Sequence, residues 1–411
     1  MAERTHTTDC CIVGAGPAGA MLALLLARQG VAVTLLEAHH HFNRAFRGNT
    51  ISPAIMQVLA ELGLAERLLQ LQHAKIRDFT VATEHGTLRF ADFRRLKTAY
   101  PYVTMLPQDR FLEFIIAEAR RYPHFQLELG APVESLVTGV GAVEGVRYRR
   151  PEGLHEIRAR LTIGADGRFS RVRRLAGFEP IEAAPPMDVF WFTLPRRPDD
   201  PADLGAHFHF GPRSLVVFMD HFDHWQVGYI IAKGAYAELR AAGLPALRQT
   251  LAQLAPQFAD RVDHLTSWQQ GALLSVASSR LPRWYRPGML LIGDAAHVMS
   301  PVGGVGINCA IQDAVVASNI LAAPLKAGQL SARHLRAVQR RRDWPTRLVQ
   351  FVQGLAQRGV VADALQSVGP YRLPGFLQLC LRIPLLRDLP TYLIAFTGWP
   401  VHVNTERSSL S

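Results

Sequence analysis

Apolar positions along this chain follow two rhythms. Three times a short apolar run ends in a glycine turn that leads into a helix-length stretch, and in the second and third an acidic residue stands at the turn. Between the second and third, apolar and aromatic residues alternate with polar ones. The first run, "DCCIVGAGPAGAMLALLLARQGVAVTLLE" (residues 9–37), predicts a strand to Val13, a tight turn through Gly14 and Gly16, a helix closed by Gly30, and a second strand ending at Glu37. The second, "RARLTIGADGRFSRVRRLAG", predicts a strand ending near Asp166 and Gly167, with a helix from about Ser170. The third, "GMLLIGDAAHVMSPVGGVGINCAIQDAVVASNIL", predicts a strand with Asp294 at its end, a Pro and Gly loop, and a long Ala-rich helix. A further helix is expected to open at Ser52 and Pro53, capped by the serine.

The alternating part, "MDVFWFTLP", "GAHFHFG", "RSLVVFMDHF" and "HWQVGYIIAK", predicts β-strands, with "FTVATEHGTLRFADF" and "YPYVTMLPQ" from earlier in the chain joining the same sheet. Which of Trp191, His207, Phe208, His209, Phe210 and Tyr229 face a pocket is left open by alternation alone. The apolar C-terminal run "LPGFLQLCLRIPLLRDLPTYLIAFTGWPVHV" is broken by Pro374, Pro384, Pro390 and Pro400, so it is read as core-packing helices. Peripheral membrane contact is the alternative.

Composition narrows the field. With 411 residues, 48% hydrophobic and 19% charged, the chain has room for two domains and a sizeable core. Its formal charge of +11 comes mostly from scattered arginines. Their densest group, Arg333, Arg336, Arg340, Arg341 and Arg342, is read as a solvated helix face, not a nucleic-acid patch. Cys10, Cys11, Cys309 and Cys380 lack metal or disulfide spacing and are read as buried thiols, with a cytoplasmic location as the default and no metal expected.

In the first run the glycines have separate physical tasks: Gly14 makes the turn, Gly16 lets a pyrophosphate approach the backbone, and Gly19 lets the helix pack on its strand. Gly14, Gly16, Ala18 and Gly19 are candidate nucleotide contacts, and Glu37 stands where an acid accepts hydrogen bonds from a ribose. Of Arg44 and Arg47, the second is the candidate for the pyrophosphate or the far side of the ring. Three strand ends would share one edge of a parallel sheet, which suits an extended cofactor.

These motifs, GxGxxG with Glu37, "ADGxxSxxR" over Ala165–Arg173 and "GDAAHxxxPxxGxGxN" over Gly293–Asn308, resemble those of the class A FAD-dependent aromatic-ring monooxygenases with the p-hydroxybenzoate hydroxylase fold. The resemblance runs over roughly residues 8–350. It implies an α/β fold: a Rossmann-like FAD-binding domain (1–75, 108–180 and 281–345), an antiparallel substrate sheet (76–107 and 181–280) and a C-terminal helical segment (346–411). It further implies that Glu37 binds the adenosine ribose, Asp294 the ribityl chain, and Asp166 the FAD and the reductant. Gln108 would contact the flavin's polar tail, and the loop with Pro301, Gly304, Gly306, Ile307 and Asn308 would face the pyrimidine ring. His297 is read as a hydrogen-bonding turn residue.

The implied activity is hydroxylation of an apolar, aromatic or polycyclic substrate by O2, with non-covalent FAD and with NAD(P)H as a transient reductant, since no second GxGxxG is present. A catalytic base is not identifiable, and monomer and homodimer are equally compatible. "WFTLP" departs from the WxWxIP of flavin halogenases. A non-oxygenating flavin oxidoreductase and a redox-responsive binding module remain the alternatives.

Overall fold

The computed structural model describes residues 4–42, 48–83, 86–200, 205–369, 371–372, 374–375 and 383–404. It has the mixed α/β architecture expected. The first sheet runs in the order Tyr285–Arg286, Met289–Leu291, Gly153–Gly164, Arg4–Val13, Val33–Glu37, Phe125–Leu129. All neighbours are parallel except the first pair, and Val133–Thr138 with Val143–Arg150 extends the long strand Gly153–Gly164 as an antiparallel hairpin. The helix Pro17–Arg28 begins with Pro in its first turn. Its residues Ala18–Ala27 are all buried, because it packs on the sheet and against the helix Gly306–Lys326, so an apolar face all round is what its position requires. The latter helix belongs to the one segment, Val302–Lys326, that is apolar and long enough to cross a membrane among the described residues, but 83% of its apolar window lies inside the protein.

A seven-stranded sheet runs Ala272–Leu274, Met187–Pro195, His224–Ala232, Ser214–Asp220, Ala206–Gly211, Asp78–Thr83, Gly86–Asp92. It is antiparallel except where Ala206–Gly211 and Asp78–Thr83 pair in parallel. The segment "YPYVTMLPQ" does not join it. Val103–Met105 pairs instead with Thr50–Ile51 and Ala74–Ile76 in a small separate sheet. Alternation marks a strand but does not name its partner, and here Leu106 N–H donates to the Asn49 carbonyl and ties the segment to the first domain's loop.

The two faces of the seven-stranded sheet bury different things. Phe190, Phe192, Val216, Phe218, Trp225, Val227 and Tyr229 pack on one side against Leu247 and Leu251 of the helix Tyr236–Leu254 and against Phe258. On the other side Val189, Phe210, Leu215, Val217 and Ile230 meet Val302, Val361, Ala364 and Leu365. His209 sits edge-on to Phe218 and His207 lies beside Trp225, so both histidines and Tyr229 belong to the helix side, whereas Trp191 and Phe208 belong to the loop side.

The C-terminal helices are only half core. In Leu389–Phe396, Thr391 and Ala395 are buried, Asp92 N–H donates to Thr391 Oγ1, and Ile394 reaches Gly303. Leu386, Leu389 and Tyr392 are 41%, 54% and 50% exposed, against the core-packing expectation: a three-residue repeat turns them to one side, which no described residue covers. The arginine-rich helix Ala332–Ala356 also departs from expectation at one residue. Arg333, Arg336, Arg340 and Arg341 are solvent-exposed, but Arg342 is fully buried, because one helical step turns it onto the core face.

Candidate active site

Val13 pairs with Gly164 and Gly164 with Leu291, so the three motif-bearing strands stop at one level. The chain crosses this edge by short backbone bonds: Gly14 N–H to the Leu36 carbonyl (2.7 Å), Ala165 N–H to Val13 (2.8 Å) and Ile292 N–H to Gly164 (3.0 Å). Gly14 has φ +100°, and a side chain there would stand 2.5 Å from the Ala165 carbonyl oxygen. A Cβ on Gly19 would overlap the Gly14 carbonyl oxygen, whereas one on Gly16 would meet nothing within 4 Å. The first and third glycines are therefore filled in by protein, and the second opens onto space. Ala18 is buried, with its methyl under the Gly293 turn.

Glu37 is buried at the end of its strand, where its carboxylate accepts from Ala15 N–H and His39 N–H, both at 3.0 Å. As a carboxylate it can only accept. Asp166 caps its helix: it accepts from Ser170 Oγ and from Val172 N–H (3.0 Å), and burial pushes its pKa up. The carboxylate expected to touch a cofactor is thus engaged in holding the turn that begins Arg171–Leu175. Arg173, at the end of the same motif, donates to the carbonyls of Ala295 (3.2 Å) and Arg168 (2.9 Å) and so stitches the second motif to the third.

Asp294 is half-buried in the one-turn helix Gly293–Ala295. Gly293, at φ +58°, donates its N–H to Asp313 Oδ2 (2.9 Å). That carboxylate also receives His297 Nε2 (2.6 Å) and, on Oδ1, Arg342 Nε (2.7 Å), all three side chains being buried. Burial alone would raise the Asp313 pKa, but His297 and Arg342 together hold it below the usual carboxylate range. This buried ionic group fixes the turn carrying Asp294. Nothing near Arg342 in the sequence marks it as buried, because its partner Asp313 lies 29 positions away.

The loop after Pro301 is held from two sides. Thr50 Oγ1 donates to the Gly304 carbonyl (2.7 Å), and Asn308 Nδ2 reaches the carbonyls of Thr50 and Gly304, both at 3.2 Å. Ser52 does not cap its helix by side chain as expected. Its N–H donates to Asn308 Oδ1 (2.9 Å), and its hydroxyl has no partner among the described residues. From behind, Gln350, Gln353 and Gln357 clasp the segment: Gln353 Nε2 donates to the Ser300 and Val302 carbonyls (2.9 and 2.7 Å), Gln350 to that of Val298 (3.1 Å), and Gln357 to Ser300 Oγ. Their spacing in "QFVQGLAQ", on one helix face, was the overlooked signal.

The first bond of the helix Gly306–Lys326 runs from Cys309 N–H to the Val305 carbonyl (3.0 Å), so the N–H groups of Gly306, Ile307 and Asn308 lie before the helix ladder begins and have no backbone acceptor among the described residues. Gln108 opens the helix Gln108–Ala119 with its N–H on Asn49 Oδ1 (3.3 Å). Arg44 and Arg47 lie outside the described residues, as does Cys380; Cys10, Cys11 and Cys309 are buried free thiols.

Residues 7–352 match the family model described as an FAD binding domain. A 6-methylpretetramide 4-monooxygenase from Streptomyces rimosus is 36% identical over 94% of this chain and 92% of its own length. The chain belongs to the FAD-dependent aromatic-ring monooxygenases. PqsL from Pseudomonas aeruginosa, solved with 2-aminobenzoylacetate, superposes with a TM-score of 0.76 at 22% identity, covering 88% of this chain and 97% of its own. The flavin-dependent brominase Bmp2 does so with 0.77 at 16% identity, covering 95% and 94%. At such identities these two show a shared fold. The residues of this flavoenzyme fit the FAD its family binds: open space at Gly16, acceptor carboxylates at Glu37 and Asp294, and backbone donors at the helix start.

Proposed function

We propose that this flavoenzyme hydroxylates an apolar aromatic or polycyclic molecule, with O2 as oxidant and NAD(P)H as a reductant that visits from solution, in the cytoplasm. The reading rests on one juxtaposition: Val302, in the loop that follows the third motif strand, packs on the side of the seven-stranded sheet that carries Trp191 and Phe208. Bound FAD supplies the redox and oxygen-activating chemistry. The chain supplies place and shielding. Glu37 would accept from the ribose hydroxyls and Asp294 from the ribityl chain, while Gly14, Gly16, Ala18 and Gly19 would shape the pyrophosphate cradle. Backbone N–H groups of Gly306, Ile307 and Asn308, at a helix N-terminus, would stabilise negative charge on the flavin, and Pro301 and Gly304 shape the loop that leads into them. Gln108 and Arg47 remain the candidates for the polar tail and the pyrophosphate, and Asp166 acts on the site by holding its own turn. An apolar wall at the sheet excludes water.

The relative's name, with its polycyclic substrate, supports the substrate class. The half-exposed Leu386, Leu389 and Tyr392 form the face through which peripheral membrane contact would occur. The deciding experiment is substrate-dependent NAD(P)H oxidation over a panel of polycyclic phenols and quinones, with heavy-oxygen gas. Product carrying one labelled atom is expected. Stoichiometric oxidation of a substrate without label would make the enzyme a dehydrogenase instead.

A further inference from the structure

On the strand His224–Ala232, Trp225 and Val227 point to the helix side, so Gln226 and Gly228 between them point to the loop side. Gly228 lies under the Trp191 ring, which a Cβ there would meet at 2.8 Å, and Met219 stands across the ladder from Gln226. Gln226 is thus a polar residue, 6% exposed, in an aromatic and apolar wall.

A single backbone group sets the polarity of its amide. Gln108 N–H can only donate, so the Asn49 atom that receives it is Oδ1, and the other end of Asn49 is its NH2. That NH2 donates to Gln226 Oε1 at 3.1 Å. His221 Nε2 lies 3.1 Å from the same oxygen and therefore carries its proton there. His221 is fully buried and stacked on His224; its pKa is pulled down to about 4, by burial and then by the nearby His224, which keeps it neutral. The Gln226 oxygen is consequently filled by two donors, while its Nε2 meets no acceptor among the described residues. Two N–H donors are left over at an apolar wall. Asn49 also places them next to the flavin loop, since its neighbour Thr50 is bonded to Gly304 and Asn308.

We propose that Gln226 Nε2 is the specificity-determining donor that receives a carbonyl or phenolate oxygen of the aromatic substrate and so sets which ring carbon is presented for hydroxylation. Asn49 and His221 are positioning residues that hold the amide with its nitrogen outward. This rests on the hydroxylase reading above. It makes substrates with an acceptor oxygen, such as ring ketones and quinones, the preferred class, since an uncompensated donor in a buried wall rejects a purely hydrocarbon edge.

The test titrates FAD-loaded enzyme with 1,8-dihydroxyanthraquinone and with anthracene, which has no acceptor oxygen, following the flavin absorbance change. Gln226→Leu is expected to raise the quinone Kd at least about tenfold and to move that of the anthracene less than about twofold. Gln226→Glu, nearly isosteric but able only to accept, should lose the quinone in the same way, and it serves where the leucine variant fails to retain FAD. Quinone binding within about twofold of the parent in either FAD-loaded variant, equal weakening of both probes, or a parent enzyme that binds neither would overturn the assignment. A parent that binds the quinone through Gln226 but never couples NAD(P)H oxidation to any aromatic would instead sink the hydroxylase reading and leave this one standing.

Discussion

At the edge of the parallel sheet the decisive distances are between backbones, as where a methyl on Gly14 would stand 2.5 Å from a carbonyl. In the seven-stranded sheet they are between rings: Phe218 stacks on Phe258 at 4.2 Å, and Trp225 meets the same ring at 4.8 Å. Backbone contacts of the first kind admit one residue type. Ring packing of the second kind admits any set of side chains with the right volume. The first region is therefore written as motif and the second as bare alternation, and substitutions should separate them.

The largest effect is expected at Gly19. Gly19→Val drives two methyl groups into the Gly14 loop and should abolish soluble expression. Gly16→Ala, whose Cβ meets open space, should lose FAD while keeping the melting temperature of the FAD-free parent. Equal thermal stability of the two variants would show that the loop is not the rigid element described. Next comes the buried ionic group: Asp313→Ala leaves Arg342 and His297 unpaired in the core and should cost about 3–5 kcal/mol in urea unfolding. A loss under about 1 kcal/mol would mean that the Asp294 turn stands without it.

The seven-stranded sheet should show itself through pH. In the unfolded chain His209 and His221 protonate near pH 6.5, but in the fold each does so only at about 4, because burial disfavours the cation. The unfolded state binds more protons in between. Stability should therefore fall as pH drops from 6.5 to about 4, by about 3 kcal/mol per histidine, and level off below. Asp313, with its lowered pKa, keeps its contribution across that window and loses it only as pH falls through its folded value, below the ordinary 3.8. The difference in urea midpoint between the parent and a His209→Gln, His221→Gln double variant should change between pH 6.5 and about 4 and stay constant on either side of that window; a difference that is the same at every pH would refute the assignment.

Asp294→Ala removes an acceptor for the ribityl chain and should weaken FAD binding by roughly ten- to a hundredfold, about 1.5–3 kcal/mol, in a fluorescence titration. An unchanged constant would reduce Asp294 to a turn residue. The smallest effect is expected from Tyr229→Phe, on the helix side of the sheet: kcat/KM should stay within about twofold of the parent. A larger drop would mean that the two faces have been assigned the wrong way round.

The sequence alone determined the strand, turn and helix units around Gly14, Asp166 and Asp294, and with them the cofactor class. Each unit is local: a glycine, a proline or a helix start acts on neighbours within a few residues, so its reason is legible in place. Only the tertiary structure decided that His207, His209 and Tyr229 face a helix while Trp191, Phe208 and Gln226 face the loop, since a period of two is the same read from either side. It alone also decided that Val103–Met105 pairs away from the large sheet, that Asp166 is engaged as a cap, and that Arg342 is buried on Asp313. Each of these depends on a partner far along the chain, and what a side chain does in a core is set by the group that closes on it, which no local pattern names.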